Sequence, residues 1–317
     1  MDRTLPDDVI THFGLTSVNT KSLVHWSPVF RARWQSRDVV VKPTQSNPSY
    51  AQSIATWTQR RFETYRDSVV TLTDTYVSDD IRWTLYPWIE GTSYTGEPTE
   101  LYLLGQLLGS HHATGQEDEF TTSTYEFEIT DEEESKSIID FLTQSPHLTH
   151  NAPSLAKLAE NLLAEDNTTH TPALQEAKLP TVISPFDMKA NNIIFQDGQP
   201  ILIDPDRLTR VPRVVDLALA YFLFHNDAPA GPCRLFNQAE WSYFVAGYQS
   251  QLELEESEIR TFRSALIHVY CDEGYWLLRT DPEGWNDSRQ KEFLRDLSSW
   301  VYRIPSQDNA SLLLEPS

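Results

Sequence analysis

The chain changes character near residue 90, and this change restricts its folds more than any other feature. Before it, "LVHW" (23–26), "VFRARW" (29–34), "RDVVVKP" (37–43), "SVVTLTDTYV" (68–77) and "IRWTLYPWI" (81–89) are short β-branched or aromatic runs broken by Ser, Pro and Asp. Such runs are the composition of strands. One stretch interrupts them, 49–66, where Ile54, Trp57, Phe62 and Tyr65 fall near helical spacing. Strands, one helix and strands again predict a small antiparallel sheet packed on a single helix. After "EGTSYTGEPTE" the leucines at 101, 104, 107 and 108 share one helical face over 99–115. Further helices are predicted over 131–142, 153–166, 214–224, 238–258 and 258–280. The acidic run 131–134 suits a helix start, where carboxylates meet the positive end of the dipole. A single β segment, 181–206, turns at Asp197-Gly198, a pair suited to a tight hairpin. The expectation is an α+β chain: residues 1–88 strand-rich, 89–317 mainly helical with one hairpin inside, joined at about 86–91. No period of 20–50 residues recurs, which argues against a repeat architecture.

Composition removes several classes of function. The formal charge is −21, and no basic stripe is visible that could hold nucleic-acid phosphates or an anionic membrane. A field this negative suits a cationic small molecule, or general solubility, with only seven lysines in the chain. Two cysteines are too few for a disulfide framework or a cysteine zinc site. The start, MDRTLPDDVITHFG, lacks the apolar core of a signal peptide, and no segment approaches the ~20 apolar residues that span a bilayer. A cytoplasmic protein is expected.

Within "SPFDMKANNIIFQDGQPILIDPDR" (184–207) polar groups crowd an otherwise apolar strand pair. If the two strands pair through Asp197-Gly198, Asn192 and Asp204 come to the same open end of the hairpin. An amide oxygen beside a carboxylate is a hard-ligand set suited to Mg²⁺, which takes one or two carboxylates plus substrate phosphates. Asp187, five residues before Asn192, could then accept a proton from an attacking hydroxyl. An ordinary polar hairpin is the competing reading.

The pattern D-x-x-x-x-N followed by I-D, and by "VVDLA" with Asp216 about a dozen residues on, resembles the aminoglycoside phosphotransferase family, the small-molecule branch of the protein-kinase-like superfamily. Asp216 also makes sense alone as the N-cap of the helix that follows; in the family its role is structural, holding the catalytic loop. "DVVVKP" resembles the strand whose lysine binds nucleotide phosphates, which gives Lys42, and Glu63, the only carboxylate between Lys42 and Arg66, is the ion-pair partner this implies. "LYPWIEG" (85–91) is similar to the segment whose backbone meets adenine, so Pro87, Trp88 and Ile89 are expected there. The likeness covers residues 20–280. It implies a bilobal protein-kinase-like fold, with a small antiparallel-sheet N-lobe with one helix and a larger helical C-lobe carrying the catalytic hairpin.

The sequence departs from that pattern twice. Pro185 and Phe186 stand where the family has His and Gly, and "LVHWSPVFRARW" has no glycine to let the backbone approach phosphate, leaving Ser27 as the group that could serve. Lys189, two residues after Asp187, matches the protein-kinase position near the transferred phosphate and could offset charge there. The reading is an ATP- or GTP- and Mg²⁺-dependent phosphotransferase acting on a hydroxyl of a small molecule. Asp187 and Lys189 are its catalytic groups, Asn192 and Asp204 its metal ligands. Asp272, Glu273 and Trp276 in "CDEGYW" form a candidate wall for a cationic acceptor such as an amino sugar. A pseudokinase, retaining the fold as a nucleotide-binding or scaffolding module, is the alternative. A protein kinase is disfavoured because no activation-loop-like stretch separates Asp204 from Asp216. Subunit number is not legible.

Overall fold

The computed structural model describes residues 4–19, 21–24, 27–44, 54, 56–59, 72–114, 122–148, 152–304 and 313. The chain divides into two compact units, one of residues 1–92, 118–123 and 194–208, the other of 93–117, 124–193 and 209–317.

In the first unit, β1 (Phe30–Trp34), β2 (Arg37–Thr44), β3 (Asp74–Ser78) and β4 (Ile81–Pro87) form an antiparallel sheet in the order β1-β2-β4-β3. Alternation sends Phe30, Ala32, Val39, Val41, Trp83 and Leu85 to one buried face. The opposing layer includes a helix that the strand reading of this region missed: α1 (Asp7–Phe13) contributes Val9 and Phe13. Pro6 precedes it, and Gly14, at φ 64°, closes it in the left-handed conformation. Seven residues are too few for a helical period to show in a sequence. Of the predicted helix 49–66, only Ile54 and Thr56–Gln59 lie within the described residues; they are helical, with Ile54 and Trp57 buried. "LVHW" is described at Leu23 and Val24 alone, and neither is in a strand.

Two hairpins of this sheet turn on residue pairs with both φ positive, Gln35-Ser36 (48° and 66°) and Asp79-Asp80 (48° and 63°). Asp197-Gly198 (51° and 78°) does the same between β8 (Ile193–Gln196) and β9 (Gln199–Leu202). Two positive φ values are the conformation of the type I′ turn, whose twist matches that of the strands it joins. Only the last pair carries the glycine that advertises such a turn. β5 (Thr92–Ser93) borders β8.

In the second unit, α2 (Pro98–Thr114) buries Leu101, Leu104, Leu107 and Leu108, as their spacing predicts. It packs on α7 (Gln238–Gln249) with the backbones in near contact. A Cβ at Gly105 would strike the Phe244 carbonyl, and one at Gly247 the Tyr102 carbonyl. The acidic run does open a helix: Asp131 caps α3 (Glu132–Gln144) by accepting from the Glu134 N–H at 2.8 Å. After α4 (Ala152–Glu165), a π-helical turn (Asp166–His170) and α5 (Thr171–Glu176), β7 (Thr181–Ser184) pairs with β10 (Thr209–Pro212). β6 (Ser123–Thr124) borders β10 on its other side.

Three sequence readings change in this unit. Asp216 is not the N-cap of α6 (Arg213–Leu223); Pro212 is, and Asp216 lies buried within the first turns. The helix drawn over 238–258 stops at Gln249, because the Glu255–Glu258 capping box starts α8 (Glu256–Val269). That helix passes through a second π-helical turn (Tyr270–Gly274) into α9 (Tyr275–Thr280), and α10 (Ser288–Ser298) follows. No helix among the described residues is long and apolar enough to cross a membrane.

His225, 3% exposed, just beyond α6, gives this unit a pH dependence. Its Nδ1–H donates to the Arg234 carbonyl at 2.7 Å, so Nε2 accepts from the Tyr94 hydroxyl at 3.0 Å. Burial lowers its pKa from 6.5 to about 4. Between those values the unfolded chain holds the extra proton, so stability falls as the pH drops from 6.5 to 4 and is unaffected above 6.5. The loss amounts to about 3 kcal/mol at 1.36 kcal/mol per pKa unit. Urea unfolding across that range is expected to show a steeper acid slope in the wild type than in His225→Gln, and equal slopes would contradict the assignment.

Candidate active site

The loop between β7 and β8 carries Asp187, Lys189 and Asn192, and the fold brings all three side chains together. The Asn192 amide donates to both the backbone carbonyl and the Oδ2 of Asp187, at 2.9 Å each. The other carboxylate oxygen, Oδ1, is 3.1 Å from the Lys189 ammonium. The amide N–H group thus holds Asp187, and its oxygen remains the acceptor end of Asn192. A 3₁₀ turn (Ala190–Asn192) makes this geometry, bringing positions five apart into contact.

Two contacts fix this loop where the expected His is absent. The Ala190 N–H donates to the Phe224 carbonyl at 2.7 Å, tying the loop to the end of α6. Phe186 packs edge-on against Tyr125, with ring centroids 5.3 Å apart. Phe186 also holds φ at 49°, the left-handed conformation that a glycine would take without strain. Deeper in the unit, the Asp216 carboxylate accepts from His112 Nε2 at 2.9 Å, and His112 Nδ1 meets the Tyr248 hydroxyl at 2.8 Å. This buried chain joins α2, α6 and α7, and Asp216 therefore acts as a helix-to-helix tie.

In the first unit, Lys42 on β2 is 7% exposed and lies among carboxylates. It is hydrogen-bonded and ion-paired to Asp204, which follows β9 by two residues, and its Nζ is 3.1 Å from Asp206 Oδ2. The Tyr86 hydroxyl donates to Asp206 Oδ1. Burial would push the Lys42 ammonium toward neutrality; the charges of Asp204 and Asp206 outweigh it and raise the pKa, so Lys42 is charged. Burial pushes Asp206 up, Lys42 pulls it down and Asp204 adds to the rise. Glu63, the partner expected for Lys42, lies outside the described residues. Asp206 and Tyr86 were missed. An Asp two residues beyond Asp204 was visible in "IDPDR", but nothing in the sequence placed the hydroxyl of β4 against it.

Near the joint, the Trp88 N–H donates to the Asp38 carbonyl at 3.0 Å, and Trp88 Nε1 to Glu90 at 2.8 Å. The Arg31 guanidinium lies 4.2 Å over the Trp88 ring. Pro87 faces Val39 across the sheet, and Ile89 is half-buried beyond them. The Ser27 carbonyl accepts from the Ser22 hydroxyl at 2.6 Å, and the Ser22 oxygen accepts from the Val29 N–H at 2.9 Å, so a serine organises this glycine-free loop.

The "CDEGYW" stretch sits at the second π-helical turn, a distortion frequent at functional sites. Tyr125 donates to Asp272 Oδ2 at 3.2 Å. Asp272 is exposed, yet the protein around its carboxyl pushes the pKa up, against the Tyr125 hydrogen bond and the electrostatic influence of His268. Trp276 is 52% exposed. The structure places Asp272, Glu273 and Trp276 on consecutive turns of one helical segment.

Residues 60–250 match the profile of the phosphotransferase enzyme family. Among curated proteins none is similar in sequence to this chain. Solved structures are similar in fold. Amicoumacin kinase hAmiN, in complex with AMP-PNP, Ca²⁺ and Ami, superposes with a TM-score of 0.61 at 15% identity, over 94% of this chain and 91% of that one. Spectinomycin phosphotransferase APH(9)-Ia, with ADP and spectinomycin, gives 0.62 at 12%, over 95% and 97%. Choline kinase LicA from Streptococcus pneumoniae gives 0.56 at 14%, over 95% and 97%. The chain thus has the α+β kinase-like fold that the sequence led us to expect.

Phe186 sets two effects against each other. Glycine would relieve a left-handed backbone worth roughly 1–2 kcal/mol but delete a buried aromatic side chain, a loss of about 3–5 kcal/mol. Packing outweighs strain, and Phe186→Gly is expected to destabilise the protein by about 2 kcal/mol in urea unfolding. A variant as stable as the wild type would show that Phe186 contributes no net anchoring.

Proposed function

This chain belongs to the phosphotransferase enzyme family, and we propose that it transfers the γ-phosphate of ATP or GTP to a hydroxyl of a small molecule, with Asp187 receiving the hydroxyl proton. The observation that carries this reading is the pairing of Asp187 with Asn192 and Lys189. A carboxylate held at both its side-chain and backbone oxygens by one amide is aimed, and a general base works only when aimed.

The remaining roles follow from position. Asp204, with 38% of its side chain exposed, and the amide oxygen of Asn192 are hard oxygen donors that flank the hairpin in sequence. Among the described residues no cluster of three or more His, Cys, Asp or Glu could hold a metal ion. Mg²⁺ needs only one or two protein ligands and takes its others from water and phosphate. Bound there, the ion would neutralise phosphate charge. Lys42 would meet the nucleotide phosphates. Pro87, Trp88 and Ile89 would present backbone groups to the base, and Ser27 would lie in the loop over the phosphates. Lys189, now ion-paired with Asp187, would be drawn to the transferred phosphoryl group as charge develops on its oxygens. Catalysis would rest on placement and charge compensation, as a loose transition state requires.

For the acceptor we propose a cationic small molecule, such as an amino sugar or a choline-like alcohol. Asp272 and Glu273 would supply charge and Trp276 an exposed ring face. The similar structures act on amicoumacin, spectinomycin and choline, and the −21 charge of this chain favours such a ligand.

The second reading, a nucleotide-binding module without turnover, draws on Pro185, the strained Phe186 and the glycine-free loop. The two separate in a single set of measurements. Phosphotransfer predicts ADP release with at least one cationic sugar or amino alcohol, and a fall of about a thousandfold in Asp187→Ala or Asp204→Ala with circular dichroism unchanged. Full activity in either variant would remove that residue from the reaction. ATP with Mg²⁺ at a hundredfold its Kd is expected to stabilise the wild type by about 2.7 kcal/mol; stabilisation without any turnover would favour the binding module.

A further inference from the structure

The geometry points to a division of labour between the two carboxylates on Lys42: Asp206, held by Tyr86, is the lysine's resident counter-ion, and Asp204 is the exchangeable one, released to a divalent cation. This rests on the proposed role of Asp204 as a metal ligand. Asp206 has no part in that proposal and matches no catalytic motif read from the sequence.

The two residues differ in what holds them. Asp206 keeps 6% of its side chain exposed, with Oδ1 taking the Tyr86 hydroxyl and Oδ2 the Lys42 ammonium at 3.1 Å. Asp204 is 38% exposed and grips Lys42 by one oxygen. Lys42 itself cannot retreat to solvent. Its side chain is 9% exposed, its strand is paired on both sides, its carbonyl accepts from Thr84 at 3.0 Å, and the Tyr86 ring lies 5.6 Å from Nζ.

A buried ammonium that loses its last carboxylate is strongly destabilised. If Asp204 were the sole partner, a cation that takes Asp204 would have to strand Lys42, and metal binding would carry that penalty. Asp206 removes it. With Asp206 in place, Lys42 stays paired when Asp204 leaves, and one negative charge becomes available to the metal. The Tyr86 hydroxyl fixes the Asp206 oxygen that Lys42 does not use, so that Asp206 neither rotates away nor follows Asp204. Asp206 and Tyr86 are thus positioning residues that act through Lys42.

Mn²⁺ titrated into the full chain without nucleotide, whose phosphates would themselves neutralise Lys42, tests this by water-proton relaxation. Asp206→Asn is expected to weaken Mn²⁺ binding by about tenfold, because the metal must now evict the one carboxylate left on Lys42 among the described residues. Tyr86→Phe should weaken it in the same direction and serves if Asp206→Asn does not fold. Asp204→Asn should abolish the relaxation signal. Metal-free melting and circular dichroism establish that each variant is folded, so a general packing defect would not produce the metal-specific change. Unaltered Mn²⁺ affinity in the folded Asp206→Asn and Tyr86→Phe variants would overturn the inference. So would loss of the signal in Asp206→Asn as complete as in Asp204→Asn, since Asp206 would then be a ligand. A wild type that binds no Mn²⁺ would overturn both this inference and the metal role of Asp204. A wild type that binds Mn²⁺ while Asp206→Asn matches it defeats this inference alone.

Discussion

A lysine ammonium buried between strands must be neutralised where it stands, and much of the first unit answers to that need. Lys42 sits in a strand paired on both edges, so its position is set by the sheet before any ligand arrives. Its partners come from a segment more than 150 residues later in the chain, and Tyr86 reaches them from the neighbouring strand. Two carboxylates share one cation, the arrangement on which the proposed metal role of Asp204 rests. Removing either partner of such a buried pair is costly, whereas the intact set gains little over an apolar replacement. The arrangement therefore speaks for a role in binding more than for stability.

In the second unit, the loop between β7 and β8 is held without the His and Gly that the family resemblance led us to expect there. Backbone and aromatic contacts take their place: Ala190 bonded to the end of α6, Phe186 against Tyr125, and Asn192 drawn back onto Asp187. Phe186 adopts the left-handed backbone that glycine would provide and offsets its strain through packing. Rigid supports of this kind suit chemistry that depends on placement. The same helices that carry the loop are tied by the Asp216–His112–Tyr248 chain, so a polar interaction in the core replaces what looked like a helix cap.

Some of this was legible in the residues. Leucines at 101, 104, 107 and 108 fixed a helical face, and the Asp-Gly pair fixed the hairpin at 197–198. The turns at Gln35-Ser36 and Asp79-Asp80 share that backbone but lack glycine, so only the strands on either side revealed them. The helix at 7–13 is too short to show a period. The break between Gln249 and Glu256 depends on a capping box of two glutamates, which in sequence reads as more helix. The spacing of Asp187 and Asn192 announced a site; their mutual hydrogen bonds needed the 3₁₀ turn between them.

Local order determines what a single stretch can announce by itself: the switch from strand to helix near residue 90 and the D-x-x-x-x-N and I-D spacings. Those signals lie within a few dozen residues of one another, where chain geometry alone relates side chains. Tertiary structure decided the rest, because Lys42, Tyr86 and Asp206 meet only after sheet pairing brings distant segments together. Which carboxylate is buried and which stays open to solvent is set by that packing: the I-D spacing singled out Asp204 but said nothing of the burial of either.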